Sequence, residues 1–304
     1  MDLKKLGEVP KSYVKEILNS LSKLDKLKKV PFFTGIHFKD TEEELNKKID
    51  DYRKVDRESG RIWKIVELSR NDVRPQCQDY IRGIFTDFTG LSGNRLSMED
   101  QSIIAGLGKI GGRTVAIIGH NKGRDIKERV KYNFGSSVPQ GYRKSQRIMK
   151  LAGRFGFPVI TFVDTPGAYA GIDAEDSGQS SAIAHSIQLM FELKVPVIVV
   201  LIGEGGSGGA LGIGIGNRIL ILEHAYYSVI SPEGCAAILW KDRAFSDKAA
   251  EALKITGQDL LKLKLADEII PEPKGGAHAD HEAAAENLKA ALNSAGTAIG
   301  PLSD

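Results

Sequence analysis

The chain reads as an α/β protein with mostly parallel strand pairing, and three observations predict this. Short apolar, β-branched runs alternate with segments of helical period along most of its length. Two of those runs, 158–163 (PVITFV) and 197–202 (VIVVLI), lead into glycine turns that open directly into helical segments. The 304 residues, 41% hydrophobic and 27% charged, have the composition of an ordinary globular protein able to bury a sizeable core.

Residues 1–60 are lysine-rich. Tyr13, Ile17, Leu18, Leu21, Leu24 and Leu27 recur at helical spacing, and Thr41 with Glu44 makes a capping box for a second helix reaching about Tyr52. These predict an N-terminal helical arm over 1–60, a main domain over 61–292 and a flexible tail over 293–304. The arm either packs on the main domain or grips another subunit. In 74–94, Tyr80, Ile81, Ile84, Phe85 and Phe88 mark one helix face, which 90–93 closes. A strand follows over 114–119, then a polar loop, 120–125, carrying His120, Lys122 and Arg124. Cations continue through Arg147, and the run 121–147 is either a solvated face or an anion site for a phosphorylated ligand.

Pro139 opens a helix that runs to Phe155, and strand 158–163 ends in Asp164-Thr165-Pro166-Gly167-Ala168-Tyr169 ahead of a helix over 177–193. The strand 197–202 stops in the glycines 203–209, and Ala210-Leu211 restarts as helix. Strands over 218–222, 226–230 and 266–270 and helices over 246–265 and 283–292 complete the pattern. In α/β sheets the carboxyl ends of strands hold ligands, so the two glycine turns predict one site lined by backbone amides.

Several function classes are excluded early. A net charge of +3 is too small to argue for nucleic acid as a main partner. The two cysteines, Cys77 and Cys235, form no CxxC, which argues against a disulfide framework or zinc ribbon and for a reducing cytoplasm. The N-terminus lacks an apolar leader and no stretch approaches a membrane span, so a soluble chain is expected. Phosphate-loop and metal-ligand spacings are missing too.

Three mechanisms compete for the glycines. Residues 203–208 satisfy G-x-G-x-x-G with Glu223 about twenty residues on, as a dinucleotide site asks, but too late in the chain to open a nucleotide domain. Residues 205–209 satisfy G-x-S-x-G with Ser207 as a nucleophile, yet no histidine is placed with any specificity as its base. The third reading makes the loop an oxyanion hole, in which two backbone N–H groups stabilise developing charge without a side-chain acid. Losing one such donor costs roughly 3–4 kcal/mol of transition-state stabilisation.

The run from Arg74 to Ser246 resembles the α subunit of the bacterial acetyl-coenzyme A carboxylase carboxyltransferase. The matching pieces include RP and DYI (74–81), IFTDF (84–88), IIGHNKGRD (117–125), GYRK (141–144), ITFVDTPGAYAG (160–171), GEGGSGGALGIG (203–214) and YSVISPEGCAAILWK (227–241). The resemblance implies a crotonase-type fold, a spiral of repeated ββα units. It also implies an α2β2 assembly with a zinc-ribbon-bearing β subunit, served by biotin carboxylase and a biotin carboxyl carrier protein. The implied reaction moves a carboxyl group from carboxybiotin to acetyl-CoA, giving malonyl-CoA. The backbone amides of Gly208, Gly209 and Ala210, shaped by Gly205 and Gly206, would hold the biotin urea oxygen. Gly167, Ala168, Tyr169, Lys122 and Arg124 are the expected cofactor-binding positions, and no metal is expected in this chain. A side chain at Gly209 would occupy the urea oxygen's space. Catalysis would rest on positioning and oxyanion stabilisation, with no side-chain acid or base.

This sequence departs from the family pattern at several positions. LSGNR (91–95) stands where the family has LHGDR, Ser177 stands where an arginine is usual, and Ala170 replaces a proline. These changes bear on which acyl-CoA is used, and they also admit a scaffold without chemistry.

Overall fold

Burial on both faces explains why 158–163 and 197–202 are so uniformly apolar. They become β4 (Val159–Thr165) and β5 (Val197–Gly206), in which every residue is buried. In this computed structural model, which describes residues 60–96 and 98–298, the two strands form the spine of an eight-stranded sheet. β1 (Thr86–Gly90), β2 (Ile103–Ile110), β3 (Arg113–His120), β4, β5, β6 (Arg218–Leu222) and β8 (Glu268–Ile270) are neighbours in that order. β7 (Tyr226–Ser228) pairs with β5 off this path. From β3 onward every pairing is parallel, as expected, while β1, β2 and β3 are antiparallel. The arm expected over 1–60 lies, up to residue 59, outside the described residues.

The expectations for the strands on the β1 side need correction. The helix α1 (Cys77–Ile84) buries Tyr80, Ile81 and Ile84, but Phe85 is its extended C-cap and Phe88 lies in β1. The helix face expected to run through Phe88 ends there because β1 has a pairing partner, β2, that the periodicity missed. β2 is glycine-rich and joins β3 through Gly111 and Gly112, both at positive φ (54° and 77°), a two-residue hairpin turn. His120, expected in a loop, ends β3 and is 1% exposed.

Helices fill most of the connections between the strands. α2 (Ile126–Lys131) is capped by Asp125, whose carboxylate accepts the Glu128 N–H. α3 (Pro139–Phe155) runs from Pro139 to Phe155 as expected, with Pro in its first turn and Gly156 closing it at φ 71°. The helix expected over 177–193 is α5 (Gln179–Glu192), preceded by a short helix, α4 (Ile172–Asp176), from which Gly178 at φ 82° parts it. Between β5 and β6 stands α6 (Ser207–Leu211), and α7 (Pro232–Leu239) follows β7 with Ser231 as its cap. The helix expected over 246–265 also breaks: α8 (Ser246–Leu253) ends at Lys254, φ 54°, and α9 (Gly257–Lys262) restarts on a Thr256–Asp259 capping box. α10 (His281–Ala298) continues past the expected end at Leu292, with Ala295 buried, so the tail expected from Asn293 begins as helix.

β5 itself serves two partners. Residues 198–201 pair with β6, and Glu204, Gly205 and Gly206 pair with β7. The strand therefore does not stop at Gly203 as expected. It runs through its glycines, and the helix starts at Ser207, three residues before Ala210.

Candidate active site

The two glycine turns meet, as the sequence predicts. A Cβ on Gly206 would strike the carbonyl of Pro166, and one on Gly209 would strike the backbone of Gly167 and Ala168. These backbones are packed as closely as backbones can be, which only glycine permits. Thr165 stiffens the first turn: its hydroxyl donates to the Gly167 carbonyl at 2.8 Å and accepts the Gly167 N–H at 3.1 Å. The Tyr169 N–H donates to the Ser137 carbonyl at 3.1 Å. At two of the three positions expected to bind cofactor, Gly167 and Tyr169, the amide is thus already bonded within the chain.

The second turn is open where the first is closed. Ser207 sits at the strand-to-helix corner with φ 50°, and the N-cap, Gly206, supplies no capping side chain. The N–H groups of Ser207, Gly208, Gly209 and Ala210 stand in the first helical turn, where a helix offers no internal acceptors. Gly209 and Ala210 are buried, while a Cβ on Gly208 would meet only Ile183 Cδ1 at 3.7 Å. Beside Gly208 lies a largely apolar cavity of about 330 Å³, walled by Leu211, Tyr227, Val229 and Leu260. The Gly209 position differs from expectation: its missing side chain makes room for the 167–168 backbone, and it is Gly208 that lines the cavity.

Behind the turns lies a network of buried charges. The Lys122 ammonium is 2.7 Å from Asp164 Oδ1 and 2.6 Å from Glu204 Oε2. Arg70 Nε donates to Glu204 at 2.7 Å, and the Tyr226 hydroxyl donates to it at 2.8 Å. Burial alone would raise the Glu204 carboxyl, but Lys122 and Arg70 bring it down to about 2. Burial likewise works against the Lys122 charge, and its two carboxylates outweigh that and raise it. Burial, then the Lys122 charge, pushes His120 down to about 3, so the imidazole is neutral. His120 Nδ1 accepts the Asp164 N–H at 3.3 Å. Tyr142, fully buried, donates to the Gly209 carbonyl at 3.4 Å.

Most cations of the basic segment have partners within the chain. Arg124 pairs with Asp79, and Arg129 with Asp72 at 2.7 Å. Arg143 donates to the Ser177 carbonyl at 2.7 Å, Lys144 pairs with Glu99, and Arg147 donates to the carbonyls of Leu91, Ser92 and Gly93. Lys122 and Arg124, both expected at the cofactor, are engaged with carboxylates of the chain. Arg74 is buried between Glu272 and the Ile202 carbonyl, which it meets at 2.8 Å. Of the departures, Asn94 Oδ1 accepts the Leu96 N–H at 2.8 Å, Ser177 caps the C-terminus of α4, and Ala170 directly follows the first glycine turn.

The competing readings find less support. Glu223, the acid of the dinucleotide fingerprint, accepts the Glu272 N–H at 3.1 Å. Of the histidines that follow Ser207, His224 meets Glu272 at 2.9 Å and His281 the Val73 carbonyl at 2.7 Å, while His278 Nδ1 is buried with no hydrogen-bond partner among the described residues. Sequence reasoning missed Asp164, Glu204, Arg70 and Tyr142 as parts of the site. The signal was available for two of them, because Asp164 and Glu204 stand at matching positions ahead of the two glycine turns.

Residues 11–303 match the family described as acetyl co-enzyme A carboxylase carboxyltransferase-like. The chain belongs to this family. It is 56% identical over 242 residues to the acetyl-coenzyme A carboxylase carboxyl transferase subunit alpha of Geobacter sulfurreducens, covering 80% of this chain and 76% of that one. The same subunit of a Thermus thermophilus strain is 49% identical over 284 residues, covering 93% of this chain and 90% of the relative. Among solved structures, a transcarboxylase 12S with methylmalonyl-coenzyme A bound superposes with a TM-score of 0.62 at 15% identity. It covers 76% of this chain, which spans 43% of that one. A Pseudomonas malonate decarboxylase hetero-tetramer in complex with coenzyme A gives 0.56 at 16% identity, covering 66% of this chain and 82% of that one. These likenesses carry the crotonase-type α/β fold expected from the sequence.

Among the described residues no group of three His, Cys, Asp or Glu could hold a metal ion, and no helix is long and apolar enough to cross a membrane. In the terms of the carboxyltransferase family, the site is a pair of backbone turns braced from behind by charge.

Proposed function

We propose that this chain is the α subunit of a biotin-dependent acetyl-CoA carboxyltransferase, transferring a carboxyl group from carboxybiotin to acetyl-CoA to form malonyl-CoA, the first committed step of fatty acid biosynthesis. The observation that carries the reading is the uncapped helix start at Gly206, open at Gly208 beside an apolar cavity. A bicyclic, largely apolar ring with one polar urea edge suits that combination of cavity wall and amides. When bound, the carried biotin supplies the carboxyl group and takes up the proton that the acetyl methyl loses.

The chain's own part is positional. The amides of Gly208, Gly209 and Ala210, with Gly205 and Gly206 shaping the turn, hold the urea oxygen where negative charge develops. Gly167, Ala168 and Tyr169 form the facing wall, and Lys122 with Arg124 act on the cofactor's surroundings through the carboxylates they neutralise. The thioester's enolate is held by a zinc-ribbon β subunit in an α2β2 assembly, and a biotin carboxyl carrier protein brings the donor from biotin carboxylase. The chain works in the cytoplasm, in keeping with two buried, free cysteines.

The test is reconstitution. The purified chain, mixed with a zinc-ribbon carboxyltransferase chain and a carboxylated biotin donor, is expected to form malonyl-CoA, while either chain alone forms none. A panel of short acyl-CoA substrates run beside acetyl-CoA reads the specificity. A complex that assembles but carboxylates none of them sinks the proposal.

A further inference from the structure

We propose that Lys122 is a positioning residue whose single ammonium ties together the roots of the two glycine turns, an inference that rests on the function proposed above. Asp164 leads into the turn 165–169, and Glu204 leads into Gly205 and Gly206. Lys122 Nζ contacts both carboxylates, at 2.7 Å and 2.6 Å. The Glu204 N–H also donates to Asp164 Oδ1 at 3.0 Å, the same oxygen that faces the lysine.

This tie stands where the sheet itself lets go. β4 and β5 pair in register from Val159 to Val163, and the register then shifts before Thr165 meets Gly205. The regular ladder is interrupted one residue before the turns begin, and the Asp164–Lys122–Glu204 cluster occupies that break. Beyond it the turns touch backbone to backbone at Gly206 and Gly209, where no side chain separates them. A shift of β4 against β5 would therefore pass straight to the amides of the second turn. The lysine comes from a third strand, two residues after the end of β3, so it fixes both turns against the sheet.

The two carboxylates are not equally dependent on it. Glu204 has Arg70 and the Tyr226 hydroxyl besides. Asp164 has Lys122 as its ion-pair partner, while neighbouring Arg74 is committed to Glu272. The groups around the cluster are His120 on β3, Tyr226 on β7, Arg70, and Arg74, Cys77 and Tyr80 at α1. Removing the ammonium leaves the Asp164 carboxylate buried beside Glu204 without its ion-pair partner.

The experiment is Lys122→Met, which keeps most of the stem and removes the charge. It is read first by amide hydrogen exchange in the free full-length chain, then by turnover with the β-type partner. Exchange is expected to quicken in 165–169 and 205–210 while α3 keeps its protection. Turnover is expected to fall roughly 10- to 100-fold with the KM for acyl-CoA within about twofold, because the turns are misplaced rather than lost. Asp164→Asn in the same background, which removes the unpaired carboxylate, should restore part of the lost turnover and slow exchange in both turns again. If Lys122→Met does not fold, Asp164→Asn alone is measured, with faster exchange in both turns expected. Unchanged exchange in the turns, exchange that quickens uniformly through the chain, or faster exchange with an unchanged kcat each overturns the inference. A wild-type complex that assembles without activity overturns the proposed function instead, and leaves the exchange result standing.

Discussion

At the scale of single residues, Gly208 and Gly209 look alike in the sequence and do opposite things. The hydrogen that replaces a side chain at Gly209 faces the backbone of Gly167 and Ala168, so a methyl group there pries the two turns apart. Gly209→Ala is expected to lose about 1–3 kcal/mol of stability, the usual cost of overpacking, together with activity. Gly208→Ala is the cleaner probe, because its Cβ meets only Ile183 at 3.7 Å. Its unfolding free energy should stay within about 0.5 kcal/mol of wild type while turnover falls roughly 10- to 100-fold. Denaturant midpoints and steady-state rates on both variants separate the two roles. A Gly208→Ala enzyme of normal kcat would show that no ligand approaches these amides.

At the scale of elements, what the sequence made readable follows from how local its causes are. α3 was delimited at both ends because Pro139 and Gly156 are start and stop signals acting within one turn, and β4 and β5 because burial on both faces leaves unbroken Val and Ile runs. β2 was missed because alternation is weak in a strand with glycines at 106 and 108, although Gly111-Gly112 marks its hairpin. The break at Lys254 escaped because apolar periodicity runs across it, and the short α4 ahead of Gly178 was missed altogether. At the site, the meeting of the glycine turns was legible, as each follows a parallel strand. The pairing of Lys122 with Asp164 and Glu204 was not, since it depends on three strand ends that lie together only after the sheet forms. Gly156 ends α3 at φ 71° with nothing near its Cβ position. Gly156→Ala should cost about 1–2 kcal/mol, the strain of a left-handed non-glycine residue, and leave kcat unchanged. A urea midpoint that does not move would count against strain at that cap.

At the scale of the whole molecule, the core collects its charges where the parallel strands end, and that placement ties stability to pH. Glu204 is held at about 2 against an ordinary 4.5, so its contribution is complete above about 4.5 and is lost as pH falls towards 2. His120 acts earlier. Its pKa of about 3 in the fold, against 6.5 when exposed, means that the unfolded chain binds a proton through a range where the folded chain does not. Stability therefore falls as pH drops below about 6.5 and continues falling towards 3. Between pH 7 and 5 Glu204 stays largely ionised in both states, so the histidine is the main contributor to the slope. The loss expected over that interval is about 2 kcal/mol, from roughly one and a half pH intervals below the unfolded pKa. Asp100, whose buried carboxyl is raised, pulls the other way as pH falls, so the net slope is shallower than the histidine's own. Urea titrations at the two pH values, on wild type and on His120→Gln, separate these contributions. The variant should lose the histidine's share of the slope and keep the opposing one. A variant that tracks wild type at both pH values would mean that His120 finds its proton in the folded chain, and that the space beneath the glycine turns is wetter than its burial indicates.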